Sequence, residues 1–427
     1  MTDLAVQLAR HGYRAIERDR AARGGGATYA SRLLGRRTVV IGEPAGARAF
    51  YDESLARRAG AVPRPLAGLL FGRGAVHGTD GAEHRDRKLL FLDVLGPPQV
   101  DTLVDEVCRE LVSASRSWNG REVSLHRVLT GVLGRAVLRW AGIELSRSEA
   151  DAVSARLAQI VDGFGLAPTA YARAWWARRW ADEWATGLVA DVRAGRSHPP
   201  KDSALRAFAD AGLDDRTAGV ELLNVLRPTV AVSWLGCFLA LALAHSTEEE
   251  RARLGDPSAV QQRYAFAQEV RRTSPFAPAL AARAVRAGEV SGVRVRRGDR
   301  LLLDVVGIDH HEETWPRPHE FRGDRLLEDD AAHPPLAFDL VPQGGGHPSG
   351  HRCPGEPLTL RLLAEMIRVL APWTIELRDE TVDATRIPTL PRGVSEVRFS
   401  RPPVQWPRGS RPPRPRSART PDRVGSP

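Results

Sequence analysis

Cysteine is scarce in this chain. Cys108, Cys237 and Cys353 are the only three in 427 residues, too far apart for a disulfide framework. Neither Cys108 nor Cys237 has the close second ligand that a structural zinc site uses. Lysine is nearly absent, two against 59 arginines, which reads as codon bias rather than a choice of guanidinium at each site. Met1-Thr2-Asp3 lacks the basic and then apolar pattern of a signal peptide, so a cytoplasmic protein is expected. Long apolar runs are missing as well. The longest, Pro228 to Ala244, is 17 residues and opens beside Arg227, which favours a buried central helix over a transmembrane segment.

A strong basic surface is also lacking, despite a net charge of +9. Residues 401–427 hold seven Arg, one Asp and eight Pro, so they supply +6 and leave +3 for the first 400 residues. This composition predicts a disordered Arg/Pro-rich tail on a single domain spanning 1–400, and gives no reason to expect nucleic acid as a partner. A polar helical lead-in is expected over residues 1–30, then a strand at Thr38 to Ile41 and helical patterns from Ala45 to Ala287. A strand at Val293 to Val295, a turn and a second strand over Leu301 to Val306 complete a mainly α fold with a small β-sheet region.

What is present in abundance is glycine around one cysteine, in Gln343-Gly344-Gly345-Gly346-His347-Pro348-Ser349-Gly350-His351-Arg352-Cys353-Pro354-Gly355-Glu356. A helix is predicted from about Pro354, with Leu362, Leu363, Met366, Ile367 and Leu370 at helical spacing behind it. Its free amides and positive end favour a thiolate at Cys353, and the glycines let backbone pass close under a flat ligand. That is the setting in which a haem iron takes an axial cysteine. An ordinary buried thiol is the plain alternative, and His347, His351 and Cys353 also leave a zinc reading open.

Three further constellations bear on the choice. Glu269 and Arg272 share a helix face, on a helix expected to start at Asp256-Pro257, and can pair with each other and with a third group. His84 and Lys88 stand one turn apart and suit an anionic carboxylate, although a solvated charge cluster reads the same way. Arg227, between Leu222, Leu223, Val225, Leu226 and Val230, Val232, Leu235, needs an anion that its own helix does not supply after Glu221. Pro228 next to it removes a backbone donor and is expected to open the helix beside a bound group.

Together these segments resemble the cytochrome P450 superfamily over about Thr38 to Glu376, and within it the fatty-acid peroxygenase branch. The resemblance to that branch rests on Phe71-Gly72-Arg73-Gly74-Ala75-Val76-His77, Val161-Asp162-Gly163-Phe164-Gly165, Arg227-Pro228, Glu269-Val270-Arg271-Arg272 and Pro342-Gln343-Gly344-Gly345-Gly346, in that order before Cys353. It implies one haem b with Cys353 as iron ligand, Glu269 and Arg272 as a proximal structural pair, and His84, Lys88, Arg283 and His351 as propionate contacts. Where most of the superfamily has a Phe seven residues before the cysteine, this chain has Gly346.

Ordinary members also carry an acid followed by Thr in the central helix, where this chain reads Leu226-Arg227-Pro228-Thr229. The resemblance implies that Arg227 holds a fatty-acid carboxylate, and that this carboxylate moves the proton needed to cleave hydrogen peroxide. Redox partners are then not expected to be required. Phe71, Phe164 and Phe276 are expected to line the chain site, with core packing as the alternative for each. His77 stands where the branch has His in members that decarboxylate and Gln in those that hydroxylate, so decarboxylation to a terminal alkene is expected beside α- and β-hydroxylation. A packing role for His77, a monooxygenase using dioxygen and a redox partner, a haem sensor without turnover, and nucleic-acid binding through the tail are the competing readings.

Overall fold

The computed structural model describes residues 2–165, 168–327 and 337–400. The proposed tail, 401–427, lies outside the described residues. At the centre runs the helix Asp215–His245. Asp214 caps it through the Thr217 amide, and its side chains are apolar on nearly every face, so it can be stable only in a protein interior. Around it pack the helices Leu125–Trp140, Arg147–Asp162, Pro168–Arg193 and Glu356–Leu370. By length and composition the central helix could cross a membrane, but most of it is buried against these neighbours. Pro228 does not break it; the helix continues through that position, and the Thr229 hydroxyl bonds back to the Val225 carbonyl at 2.9 Å.

The main sheet has five strands in the order Thr28–Leu33, Arg36–Ile41, Arg300–Asp304, Ala279–Ala284 and Ala56–Arg57. Arg36–Ile41 and Arg300–Asp304 pair in parallel, so segments some 260 residues apart share a ladder. Several expectations are corrected here. Thr28–Leu33 is a strand rather than the end of a helical lead-in, because it forms a hairpin with Arg36–Ile41 and buries Tyr29 and Ser31. Ala279–Ala284, four of whose six residues are alanine, is also a strand and not helix; its place between two partner strands overrides propensity. The strand over 301–306 ends at Asp304, which caps a short helix, Val305–Asp309, through the Gly307 amide. The helix carrying Glu269 starts at Val260 rather than Asp256, whose carboxylate instead takes the Ser258 amide and hydroxyl in the preceding turn.

Candidate active site

The cysteine loop folds as its glycines require. Gly344 and Gly346 have φ of +88° and +84°, and a Cβ on Gly345 would lie 2.4 Å from the Ala337 carbonyl oxygen. The Tyr51 hydroxyl accepts the Gly345 amide at 2.8 Å, and the Gln343 carbonyl accepts the Cys353 amide at 3.0 Å. The following helix, Glu356–Leu370, begins two residues later than expected. Around the sulfur, Gln343 Nε2 approaches Sγ at 3.7 Å and also donates to Thr359 at 3.0 Å. The thiol pKa is not lowered as the helix end alone suggested. Burial dominates and pushes it up, countered in part by the Gly355 amide, Lys88 and Arg271.

Close by, basic side chains collect. His84 and Lys88, one turn apart on the helix Gly81–Val94, are both buried. The His84 and His351 rings lie 3.8 Å apart, and the Arg58 guanidinium sits over the Phe50 ring at 4.0 Å. Burial first, then His351 and Lys88, hold His84 down at about 4; burial holds Lys88 at about 8 although the cysteine works against it. The one acid among them, Asp80, is committed to the Arg58 and Ala59 amides at 2.9 Å, and His351 Nε2 stands 3.3 Å from it too poorly aligned for a full hydrogen bond. His84 Nδ1 is buried without a partner among the described residues. A cluster of basic side chains this short of acid suits carboxylates from a bound group.

On the central helix, Arg227 is 5% exposed. Among the described residues its guanidinium makes no hydrogen bond or ion pair; its one ring contact is Phe164, at 5.7 Å from the centroid. Glu221, the nearest acid before it on this helix, is spent on the Val76 amide at 2.7 Å, Asn224 at 3.1 Å and Arg87 at 3.3 Å. Burial, then Arg178, hold Arg227 down at about 9, while Cys353 acts the other way, so the two sit within one electrostatic neighbourhood. His77 belongs to it too. Burial, followed by Arg227, Lys88, His351 and His84, holds its imidazole at about 3. The ring is accessible and yet enclosed by protein, as a side chain bordering an interior space would be, and it stacks on Phe71 at 4.3 Å.

Phe276 is half-buried beside a separate small cavity with Leu235, Pro342 and Gln343, and has no described contact with Arg227. Glu269 and Arg272 pair as expected through two bonds of 2.8 Å, and the third partner is Arg325, at 3.0 Å from Glu269. Arg283 lies exposed on its strand in register with Arg57 and Arg300, because the alternation of the strand turns Ala282 and Ala284 inward. His347 is exposed and bonds Ser349, and no group of three or more potential metal-ligating side chains occurs among the described residues, so the zinc reading falls.

A family model for cytochrome P450 matches residues 264–389. A putative cytochrome P450 137 of Mycobacterium tuberculosis is 26% identical over 366 residues, covering 78% of this chain and 74% of that protein. Among solved structures, a variant of cytochrome P450SP alpha is 34% identical with a TM-score of 0.87, covering 93% of this chain and 98% of that one. The chain is a cytochrome P450. Other similar structures are cytochrome P450 OleT in complex with arachidonic acid, at 29% identity and TM-score 0.85, and cytochrome P450EX alpha with myristic acid, at 30% and 0.83; this chain covers 96% of each.

A cytochrome P450 is an oxidoreductase built on haem b, and the residues of this one fit that group. The thiol of Cys353 faces backbone and side-chain donors, and His84 Nδ1, without a partner among the described residues, lies in a cluster of basic side chains whose one acid, Asp80, is committed to backbone amides. Cys353 would supply the axial ligand, and His84, Lys88, His351 and Arg58 would hold the propionates. Arg58, Gln343, Arg325 and Arg178 escaped the sequence reading. Gln343 stood inside the quoted loop, and Arg58 joins through Asp80; nothing in local spacing marks Arg325 or Arg178.

Gly72 in this cytochrome P450 has φ of +90°, and a Cβ there would lie 2.1 Å from Arg178 Nη2. Gly72→Ala is therefore expected to destabilise the protein by about 1–3 kcal/mol, read by denaturant unfolding. Unchanged stability would mean that Arg178 and Val220 move aside and the backbone leaves its left-handed conformation at little cost.

Proposed function

We propose that this cytochrome P450 is a fatty-acid peroxygenase that uses hydrogen peroxide to oxidise long-chain acids near the carboxylate. The observation that carries the reading is Arg227, a buried guanidinium with no anion of its own among the described residues, on a central helix that offers no acid beside it. The OleT and P450EX alpha structures, with arachidonic and myristic acid, support a carboxylate as its partner. Haem bound through Cys353 supplies the oxidising chemistry with peroxide.

The residues of the chain do the rest. Arg227 fixes the substrate carboxylate, which stands in for the missing acid and would hold the proton that moves between the peroxide oxygens as their O–O bond breaks; one oxygen then ends in water and the other is the oxidising equivalent that bound haem would deliver to the acid. Phe164 covers the guanidinium and keeps water from it. His77, neutral above about pH 3, serves as a hydrogen-bonding imidazole and not as a charged proton donor. Two net reactions balance: an acid R-CH2-CH2-COOH and H2O2 give either R-CH(OH)-CH2-COOH (or the 2-hydroxy isomer) and water, or R-CH=CH2, CO2 and two waters. No electron donor is consumed, so redox partners are dispensable, and the scarce cysteines accord with a cytoplasmic setting.

The test is to mix the haem-loaded protein with hydrogen peroxide and a long-chain fatty acid and to identify products by gas chromatography and mass spectrometry. An alkene one carbon shorter, or a 2- or 3-hydroxy acid, is expected. No product, with turnover appearing only on addition of a reductase and dioxygen, would move the assignment to a redox-partner monooxygenase.

A pH dependence follows from Arg227. Burial holds its guanidinium below the usual arginine value, at about 9, so fatty-acid affinity is expected to be full at neutral pH and to weaken only in alkali. The bound carboxylate raises the pKa and moves the midpoint upward. Titration of the haem spin-state change at stepped pH reads this; affinity that already falls through the neutral range would point to a histidine rather than Arg227 as the anchor.

A further inference from the structure

Glu221, Asn224 and Arg227 follow at three-residue intervals on the buried central helix, and only Arg227 has a role in the reading above. The other two reach across to the segment that carries His77. Asn224 Nδ2 donates to the Phe71 carbonyl at 3.0 Å and to Glu221 at 3.1 Å, and Glu221 accepts the Val76 amide at 2.7 Å. From the helix Pro168–Arg193, Arg178 adds a second donor to the Phe71 carbonyl at 3.4 Å, held in place by Asp182 at 2.6 Å. Between these ties the chain has no regular structure and passes through Gly72 and Gly74, both at positive φ. Phe71 and Val76 are thus fastened by buried side chains rather than by a backbone ladder, and the Phe71 ring then lies flat on His77, 9° from parallel.

We propose that Asn224, Glu221 and Arg178 are positioning residues that set the place of the Phe71–His77 stack relative to Arg227. They thereby decide which carbon of an anchored acid is oxidised and how much leaves as alkene. The physical reason is that anchor and imidazole are referenced to one rigid helix: a carboxylate held by Arg227 and a ring held through Asn224 and Glu221 keep a constant separation only while those ties exist. The buried carboxyl of Glu221 is pushed toward its neutral form, so an amide can replace it as acceptor for the Val76 amide. The proposal rests on the peroxygenase reading.

The test uses full-length haem-loaded protein. Asn224→Leu removes the donors to Phe71 and Glu221, whereas Glu221→Gln keeps an acceptor for Val76. In Asn224→Leu, hydrogen exchange of residues 71–78 is expected to quicken by about tenfold or more. The fatty-acid dissociation constant, read by haem spin state, should stay within about twofold, while the ratio of alkene to hydroxy acids moves at least about threefold. Glu221→Gln, which keeps the acceptor for Val76 but turns an amide nitrogen toward Asn224, should shift exchange and product ratio in the same direction by less than Asn224→Leu does, with affinity again within about twofold. Should the leucine variant not fold, Asn224→Ser carries the same expectations. A loosened segment with an unchanged product ratio would overturn the proposal, as would unchanged exchange, or loss of fatty-acid affinity together with the ratio. If the wild type itself makes no oxidised acid from peroxide, the functional reading fails and takes the claim about products with it. The exchange data still show separately whether the ties hold the segment.

Discussion

Arg227→Leu is expected to remove fatty-acid binding and peroxide-driven turnover while leaving the haem in place and the fold no less stable. The two halves of that expectation come from one fact. The guanidinium is 5% exposed and has no acid or carbonyl to bond among the described residues, so without substrate it is a desolvated charge with nothing to offset it. Leucine there joins Leu226 and Val230 in an apolar setting and relieves that cost. With substrate the balance reverses, because a buried charge pair loses about 2–5 kcal/mol when one partner is cut, which is on the order of a thirtyfold to several-thousandfold loss of affinity. The measurement is a spin-state titration beside thermal unfolding of the substrate-free protein. Retained turnover of fatty acids would sink carboxylate anchoring, and a large loss of stability would show that Arg227 has a structural partner.

Glu269→Ala should have the other large effect, on folding instead of binding. Glu269 is fully buried and accepts from Arg272 twice, from Arg325 and from the Arg322 amide. Arg272 also donates to the Asp309 and Pro318 carbonyls at 2.8 Å, so one carboxylate ties the helix Val260–Thr273 to the segment before the cysteine loop. Removing it leaves two buried guanidinium groups without a counter-charge, which costs about 3–5 kcal/mol. The expected result is poor haem retention and a large fall in the denaturant midpoint. A variant that held haem and matched wild-type stability would show that backbone carbonyls alone satisfy Arg272 and Arg325.

Sequence reading reached the parts of this protein whose physics is local. The glycine run before Cys353, the helical repeat after it, the Glu269 and Arg272 spacing and an arginine stranded in an apolar helix each depend on neighbours within a few residues. All four stand as expected. It failed where a partner came from far along the chain. Thr28–Leu33 and Ala279–Ala284 are strands because distant segments complete their ladders, which no local propensity encodes.

By itself, then, the sequence determined the chemistry on offer: a thiol presented by a tight loop, a buried cation in need of an anion, and no acid beside it. Those are consequences of residue type and short-range spacing. Only the tertiary structure decided how they combine. It placed Cys353, His77 and Arg227 in one electrostatic neighbourhood, assembled Arg58 and His351 with His84, and tied the Phe71–Val76 segment to the anchor helix. Such groupings depend on which helices pack together, and that packing is the work of hydrophobic burial over hundreds of residues, a force without direction that leaves no signature at any single position.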